Sequence, residues 1–293
     1  MADKMTAGDR IFLTLVTTFL IFFTILILYP LFFILSASFS DPQAVLRGRM
    51  WLWPVGWNLN AYRRVFSNAE IGRSFFNSVF YTVTGTFFSL ALTTLAAFCL
   101  SRRDLPGKTF LTLFFTFTMF FAGGIIPTYL VIRGLGMFNT FWVMVIPGSV
   151  SVFNLLVMRT FMSTSIPEEL FEAAYVDGCS NTRILFAVVL PLSASIIVVM
   201  ILFYGVNYWN EFFKALIYLK DRFRYPLQLI LREILLESQA DSMTELESTS
   251  SKVLLSEGIK YASCIVASAP LLLIYPFLQK FFERGIMVGA VKG

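Results

Sequence analysis

The sequence has 293 residues, of which 57% are hydrophobic and only 14% charged, with 33 phenylalanines, a mean hydropathy of +0.74 and a net charge of +5. Soluble domains carry about 25% charged residues, so a water-facing surface is excluded at this length and the lipid bilayer is the expected solvent. No histidine occurs, which removes histidine general bases, Ser-His-Asp triads and histidine metal sites, and the lysines and arginines lack the stripe and aromatic interleaving of a nucleic-acid binder, so no nucleic acid is expected as a partner.

Six runs contain no Asp, Glu, Lys or Arg: 11–40, 74–101, 109–132, 134–158, 184–210 and 261–279. About 20 apolar residues span the hydrocarbon core, and a charge at its centre costs roughly 2.5–3.5 kcal/mol. The pattern predicts an all-α integral membrane protein with six transmembrane helices in a single domain over 1–293. The first run is too long for a signal-peptide core and is read as a permanent span. Cys99, Cys179 and Cys264 form no CxxC spacing and are expected to be small buried hydrophobes rather than a disulfide framework.

In chain order, the outer loop 39–73 carries Arg47, Arg49, Arg63, Arg64 and Arg73, which are compatible with an acidic substrate. The short loop "RRDLPGK" (102–108) after the second run carries three positive charges. By the positive-inside rule it places that loop, the insert 163–190 and both termini on the cytoplasmic side. Its "PGKT" resembles the end of a Walker A loop, but the glycine that loop needs five residues before Gly107 is Arg102, and no strand precedes it. The chain is therefore expected to bind no nucleotide and no cofactor of its own. In the third run Pro127 predicts a kink, and with Gly123 and Gly124 it marks either close packing against a neighbour or a hinge. The turn "RGLGMFN" (133–139) makes the third and fourth spans an antiparallel pair. Asn154 falls mid-run in the fourth, where a buried amide is either interhelical glue or pathway lining.

The insert "IPEELFEAAYVDGCSNTRILFAVVLPL" (166–192) is charged where its surroundings are not. Ser165 is expected to N-cap a helix with Glu168 as its capping-box partner, and Pro167 falls harmlessly in the first turn. The helix runs through Val176, and Gly178 is placed to end it in a left-handed conformation. Ser180 is expected to cap a second short helix over 181–188, and Pro191 to open the fifth span. Leu170, Ala173, Ala174 and Asp177 share one face at helical spacing, and with Glu169 and Glu172 they make a low, acidic surface suited to a partner's groove.

In "NYWNEFF" (207–213), Asn207, Tyr208, Trp209, Asn210 and Glu211 are either an interfacial belt or part of an outer pathway, since aromatics and amides suit sugar rings. In the outer loop 214–260, Leu227, Ile230, Leu231, Ile234 and Leu235 recur at helical spacing opposite Arg232, Glu233 and Glu237, which predicts an amphipathic helix. The polar stretch 237–252 after it is expected to be a flexible loop, and the basic tail 284–293 to be short and flexible.

These residues resemble a known family. Glu172, Ala173, Ala174 and Gly178 match the EAA loop (E-A-A-x(3)-G) of the permease subunits of binding-protein-dependent ABC importers. The ten residues that follow lead into Val189, Leu190 and Pro191, which also fits. The stretches 203–219 and 275–293 are similar to the sugar-importer branch, nearest the aldouronate and polysaccharide permeases and the second subunit of maltose-type importers. One departure is Ala194-Ser195, where many relatives carry a second proline. The resemblance covers nearly the whole chain. It implies a type I importer permease fold with its core over about 74–280. It also implies a second, unlike permease subunit, two cytoplasmic ATPase subunits that carry ATP and magnesium, an extracytoplasmic sugar-binding protein and an oligosaccharide substrate. In such proteins the short helix docks in a cleft of the ATPase, so Leu170, Glu172, Ala173, Ala174, Asp177 and Gly178 are the expected coupling residues. Glu172 would orient the loop by hydrogen bonds and charge, the tail would reach the ATPase interface, and no covalent chemistry would occur in this chain. A stand-alone secondary transporter or channel remains the alternative, and a membrane enzyme stands behind it.

Overall fold

A computed structural model of the chain describes residues 6–243, 257–274 and 276. The tail 284–293 and the end of the sixth run lie outside them. Among the described residues all regular structure is helical, in chain order α1 (Ala7–Ser38), α2 (Pro42–Leu46), α3 (Asn60–Ser67), α4 (Ala69–Ser101), α5 (Lys108–Phe120), α6 (Ile125–Gly134), α7 (Trp142–Val145), α8 (Val152–Ser165), α9 (Glu168–Val176), α10 (Asn181–Leu192), α11 (Ala194–Trp209), α12 (Phe213–Tyr218), α13 (Leu227–Met243) and α14 (Glu257–Ile274).

The charge-free runs fold less evenly than their composition predicts. Among the described residues three helices, α1, α4 and α14, are long and apolar enough to cross a membrane, and up to five spans result if each bent pair counts as one. Six continuous spans are not found, and glycine is the main reason. In the third run α5 and α6 meet at 114°. The break lies at 121–124, where Gly124 takes φ +84°. Pro127, expected as the kink, instead sits in the first turn of α6, where its missing N–H is harmless. In the fourth run Gly136, Asn139 and Gly148 all have positive φ, so only α7 and the start of α8 are helical. Asn139 holds this unusual conformation through its side-chain carbonyl, which accepts the N–H groups of Lys220 and Asp221 at 3.0 Å each. Asn154 consequently lies in the first turn of α8 rather than mid-helix, its N–H capped by Ser151. In the fifth run α10 contains a π-helical stretch, Leu185–Val189, and bends by 83° into α11 at Ser193.

Contacts gather the chain into two compact units. In the first, Met1–Ala69 with Leu231–Ala269, α1 begins with a reciprocal Thr6–Asp9 capping box and stays exposed along its apolar length. Past its end, Phe39 stacks on Tyr62 at 5.0 Å while the Tyr62 hydroxyl meets that of Ser38 at 2.8 Å. In the second, Glu70–Ile230 with Pro270–Gly293, a core is built from Ala97 and Phe98 of α4, Leu155 and Met158 of α8, Phe171 and Ala174 of α9, Ile184 of α10 and Met200 of α11. Hydroxyls lace this core together. Tyr208 donates to the Val145 carbonyl at 2.9 Å and meets Ser89 at 2.9 Å, while Tyr204 meets Thr93 at 2.6 Å and accepts the Ser151 N–H at 3.2 Å.

The amphipathic helix expected in the loop 214–260 is α13, with Leu227, Ile230 and Leu231 buried. It runs on to Met243, into residues expected to form a flexible loop; 244–256 lie outside the described residues. Of the cysteines, Cys99 is exposed and the other two are half-buried, so they are not the fully buried hydrophobes expected.

Candidate functional site: the acidic insert and its arginine cradle

The insert folds as two helices around a tight turn. Pro167 pushes Ile166 out of the helical region (φ −106°, ψ 112°). Ser165 is thereby left as the last residue of α8, and Pro167 itself occupies the N-cap of α9 with no side-chain cap. The capping box expected of Ser165 and Glu168 does not form; Glu168 pairs instead with Arg103 at 3.2 Å. At the other end Gly178 takes φ +71°. Its N–H donates to the Tyr175 carbonyl at 3.0 Å and that of Cys179 to Ala174 at 2.9 Å, a Schellman motif that satisfies the last carbonyls of α9. Ser180 then caps α10 through the Arg183 N–H.

The face of α9 that turns inward is set by Phe171 and Ala174, 7% and 8% exposed. The stripe expected to meet a partner therefore splits: Ala174 joins the core, while Leu170, Glu172, Ala173, Asp177 and Gly178 are exposed. Val176, at 89% exposure, is the most exposed large hydrophobic of the insert. Glu172 makes no hydrogen bond or ion pair with another described residue, and among the described residues other groups hold the loop.

Those other groups come from the turn between α4 and α5. Arg102 binds Asp104 through Nε at 3.0 Å and Nη2 at 3.2 Å, and Nη2 also donates to the Tyr175 hydroxyl at 2.6 Å. Its guanidinium lies 4.4 Å from the ring centre of Phe171 and 5.2 Å from that of Tyr175. The Tyr175 hydroxyl donates onward to Asn181 Oδ1 at 2.7 Å. Lys108 donates to the carbonyls of Ser101 and Arg102, and Arg159 to that of Leu100, so cations close the carboxyl end of α4. Burial opposes the charge on Arg102, but the Asp104 hydrogen bond and the nearby charges outweigh it and hold the guanidinium above its ordinary range. The same hydrogen bond holds the Asp104 carboxyl below its usual range. Read as sequence, this loop signalled only topology. Its structural role was legible in Phe171 and Tyr175, one helical turn apart and thus stacked as a seat for a cation.

The pathway candidates differ in exposure. Asn207 and Asn210 are exposed, Asn154 is 7% exposed, and Tyr208 and Trp209 are buried at 4% each. Tyr208 is committed to the core through both of its hydroxyl contacts. Trp209 packs edge-on against Phe75 at 5.7 Å and lines an apolar groove of about 430 Å³ with Val79, Thr82, Gly205 and Ile274. Among the described residues no group of acidic or cysteine side chains could hold a metal ion.

No protein-family model matches the chain, but whole-length relatives do. It is 40% identical over 287 residues to the polygalacturonan/rhamnogalacturonan transport system permease protein YtcP of Bacillus subtilis strain 168, covering 97% of this chain and 99% of the relative. It is 38% identical over 264 residues to protein LplC of the same organism, covering 90% and 89%. Its fold is similar to a chain in the crystal structure of a bacterial ABC transporter involved in the import of the acidic polysaccharide alginate, with a TM-score of 0.85, 30% identity and 96% and 100% coverage. With only helices as regular structure among its described residues, matched nearly end to end by such proteins and carrying the acidic EAA insert, the chain belongs to the permease subunits of ABC sugar-import systems.

Proposed function

We propose that this permease forms half of the translocation pathway of an ATP-driven importer for acidic, uronate-containing oligosaccharides. It pairs with a second, unlike permease. Two cytoplasmic ATPase subunits, which carry ATP and magnesium, dock beneath, and an extracytoplasmic binding protein delivers the sugar. Both termini and the insert lie in the cytoplasm, and the six charge-free runs each cross the bilayer, the broken ones as bent crossings. ATP-driven closure of the ATPase pair displaces α9, and the pathway turns from inward- to outward-facing.

The observation that carries this reading is α9 itself. It is fixed on its inner side by Phe171, Ala174 and Arg102, yet it presents Leu170, Glu172, Ala173 and Asp177 outward, with the Glu172 carboxylate unpaired among the described residues. A protein that spends a charged, firmly held helix on an exposed surface has something to dock there. The acidic substrate class is supported by the relatives, which carry polygalacturonan/rhamnogalacturonan in one case and alginate in the other. The test is reconstitution of the full transporter with its binding protein, measuring ATP-driven uptake of trigalacturonate against neutral maltotriose, with wild type and Glu172→Ala side by side. Trigalacturonate uptake that needs ATP and falls in the Glu172→Ala complex supports the reading. Uptake by this chain without any ATPase would establish a stand-alone transporter instead, and preference for maltotriose would remove the acidic substrate.

A further inference from the structure

Among the described residues, Arg102 binds the turn after α4 and the exposed helix α9 at the same time. It is only 10% exposed. On the turn side, two of its nitrogens form a fork on Asp104. On the α9 side it stacks on two rings one helical turn apart and donates to the Tyr175 hydroxyl at 2.6 Å. Tyr175 passes the contact on to Asn181, the first residue of α10. Behind Arg102 the turn is fastened to α4 by Lys108, and α4 to α8 by Arg159. A largely buried guanidinium whose planar face and whose edge are both engaged is costly to strip of its partners. Tilting α9 therefore either drags Arg102 with it, and α4 behind Arg102, or breaks all of these contacts together.

We infer that Arg102 is a positioning residue that makes α9 and the end of α4 move as one body, so that a displacement imposed on α9 is transmitted directly into a long membrane helix. The inference rests on the proposed docking of α9 to the ATPase and adds the route by which that motion enters the membrane. Exposed Arg103 and Glu168, 81% and 39% accessible, lie on the same seam but are too solvated to carry force. Lysine cannot substitute for Arg102, because an ammonium neither forks a carboxylate nor lies flat on two rings.

The experiment uses the reconstituted importer with its binding protein and trigalacturonate as the probe. Wild type, Arg102→Ala, Arg102→Lys and Tyr175→Phe are compared for three readouts: ATPase subunits recovered per permease, crosslinking of Val176→Cys to the ATPase on a Cys179→Ser background, and sugar imported per ATP hydrolysed. Arg102→Ala is expected to keep both the ATPase subunits and the crosslink while sugar per ATP falls by about ten-fold. Arg102→Lys should recover little of that loss, Tyr175→Phe should lose about three-fold, and adding Tyr175→Phe to Arg102→Ala should cost nothing more. Unchanged sugar per ATP in Arg102→Ala overturns the inference. If that variant fails to assemble, normal coupling in an assembled Arg102→Lys overturns it equally. Absence of the Val176→Cys crosslink in an otherwise wild-type complex defeats the docking of α9 itself, and is thereby told apart from a failure of Arg102 alone.

Discussion

A methyl group placed on Gly85 would lie 2.5 Å from the ring of Tyr208. This approach is one end of a longer seam between α4 and α11. Gly85, Ser89 and Thr93 follow one another at four-residue spacing on α4, and Tyr208 and Tyr204 face them at the same spacing on α11. The glycine makes room for one ring, and the two hydroxyls receive the phenol oxygens at 2.9 and 2.6 Å. Small residues that let one helix come close, with hydroxyls to bond across the gap, are how helices associate where lipid supplies no hydrophobic drive. Because the Tyr208 proton goes to the Val145 carbonyl, Ser89 must be the donor in its own contact with Tyr208. The two bonds are thus ordered.

Gly85→Ala is expected to overpack this seam and lower stability by about 1–3 kcal/mol, read as a fall in the thermal unfolding temperature of the purified complex. Adding Tyr208→Leu removes the obstructing ring and should restore part of that loss, although Tyr208→Leu alone destabilises. Additive losses in the double variant would mean that the ring and the glycine do not meet.

Tyr204→Phe tests the second rung. It leaves the Ser151 N–H without its acceptor and the Thr93 hydroxyl without its partner, at a cost of about 1–3 kcal/mol. Thr93→Val paired with Tyr204→Phe should cost less than the two single changes summed, because the bond can be lost only once. Full additivity in thermal unfolding would contradict the contact.

Burial, not composition, decided where reading the sequence succeeded. The helices α1 and α4 were legible as uninterrupted apolar runs because nothing in them competes with helix formation. The 114° break before Ile125 was announced by Gly123 and Gly124, but its size was not, since two glycines permit a kink or a full reversal and only packing chooses. In the insert, the left-handed turn at Gly178 followed from local chemistry. The orientation of α9 did not. The alanine pair reads as one smooth face, yet Phe171 drives one edge of the helix into the core and takes Ala174 with it. The pairing of Arg102 with Phe171 and Tyr175 was not legible from its own loop, because those partners lie about seventy positions away in the chain.

The absence of histidine has a consequence for pH dependence. No side chain with an ordinary pKa between about 5 and 8 is present. Asp104 is held below its usual carboxylate range, so its contribution to the cradle is present above the unfolded carboxylate value of about 3.9 and is lost only as pH falls through its lower folded value. Sugar imported per ATP should therefore stay flat from about pH 5.5 to 8, even where the ATPase rate itself changes. A step in that ratio near neutral pH, with the binding protein kept saturated, would contradict this expectation.

Gly178 offers a test in which shape and conformation separate cleanly. A Cβ built there meets nothing within 4 Å, but the backbone sits at φ +71°. Any effect of substitution must then come from the left-handed backbone and not from crowding. Alanine in that region costs about 1–2 kcal/mol, whereas asparagine is tolerated far better because its short amide bonds locally. Transport should thus rank glycine first, asparagine close behind, and alanine well below, with valine lowest because its branched carbon is least tolerant of positive φ. The thermal unfolding temperature should barely move across the series, since an exposed turn opens locally at less than the cost of global unfolding. That divergence matters: a turn that merely needed room would treat asparagine as worse than alanine. Equal sugar per ATP in the asparagine and alanine variants would show that the left-handed turn is not what aims α9 at its partner.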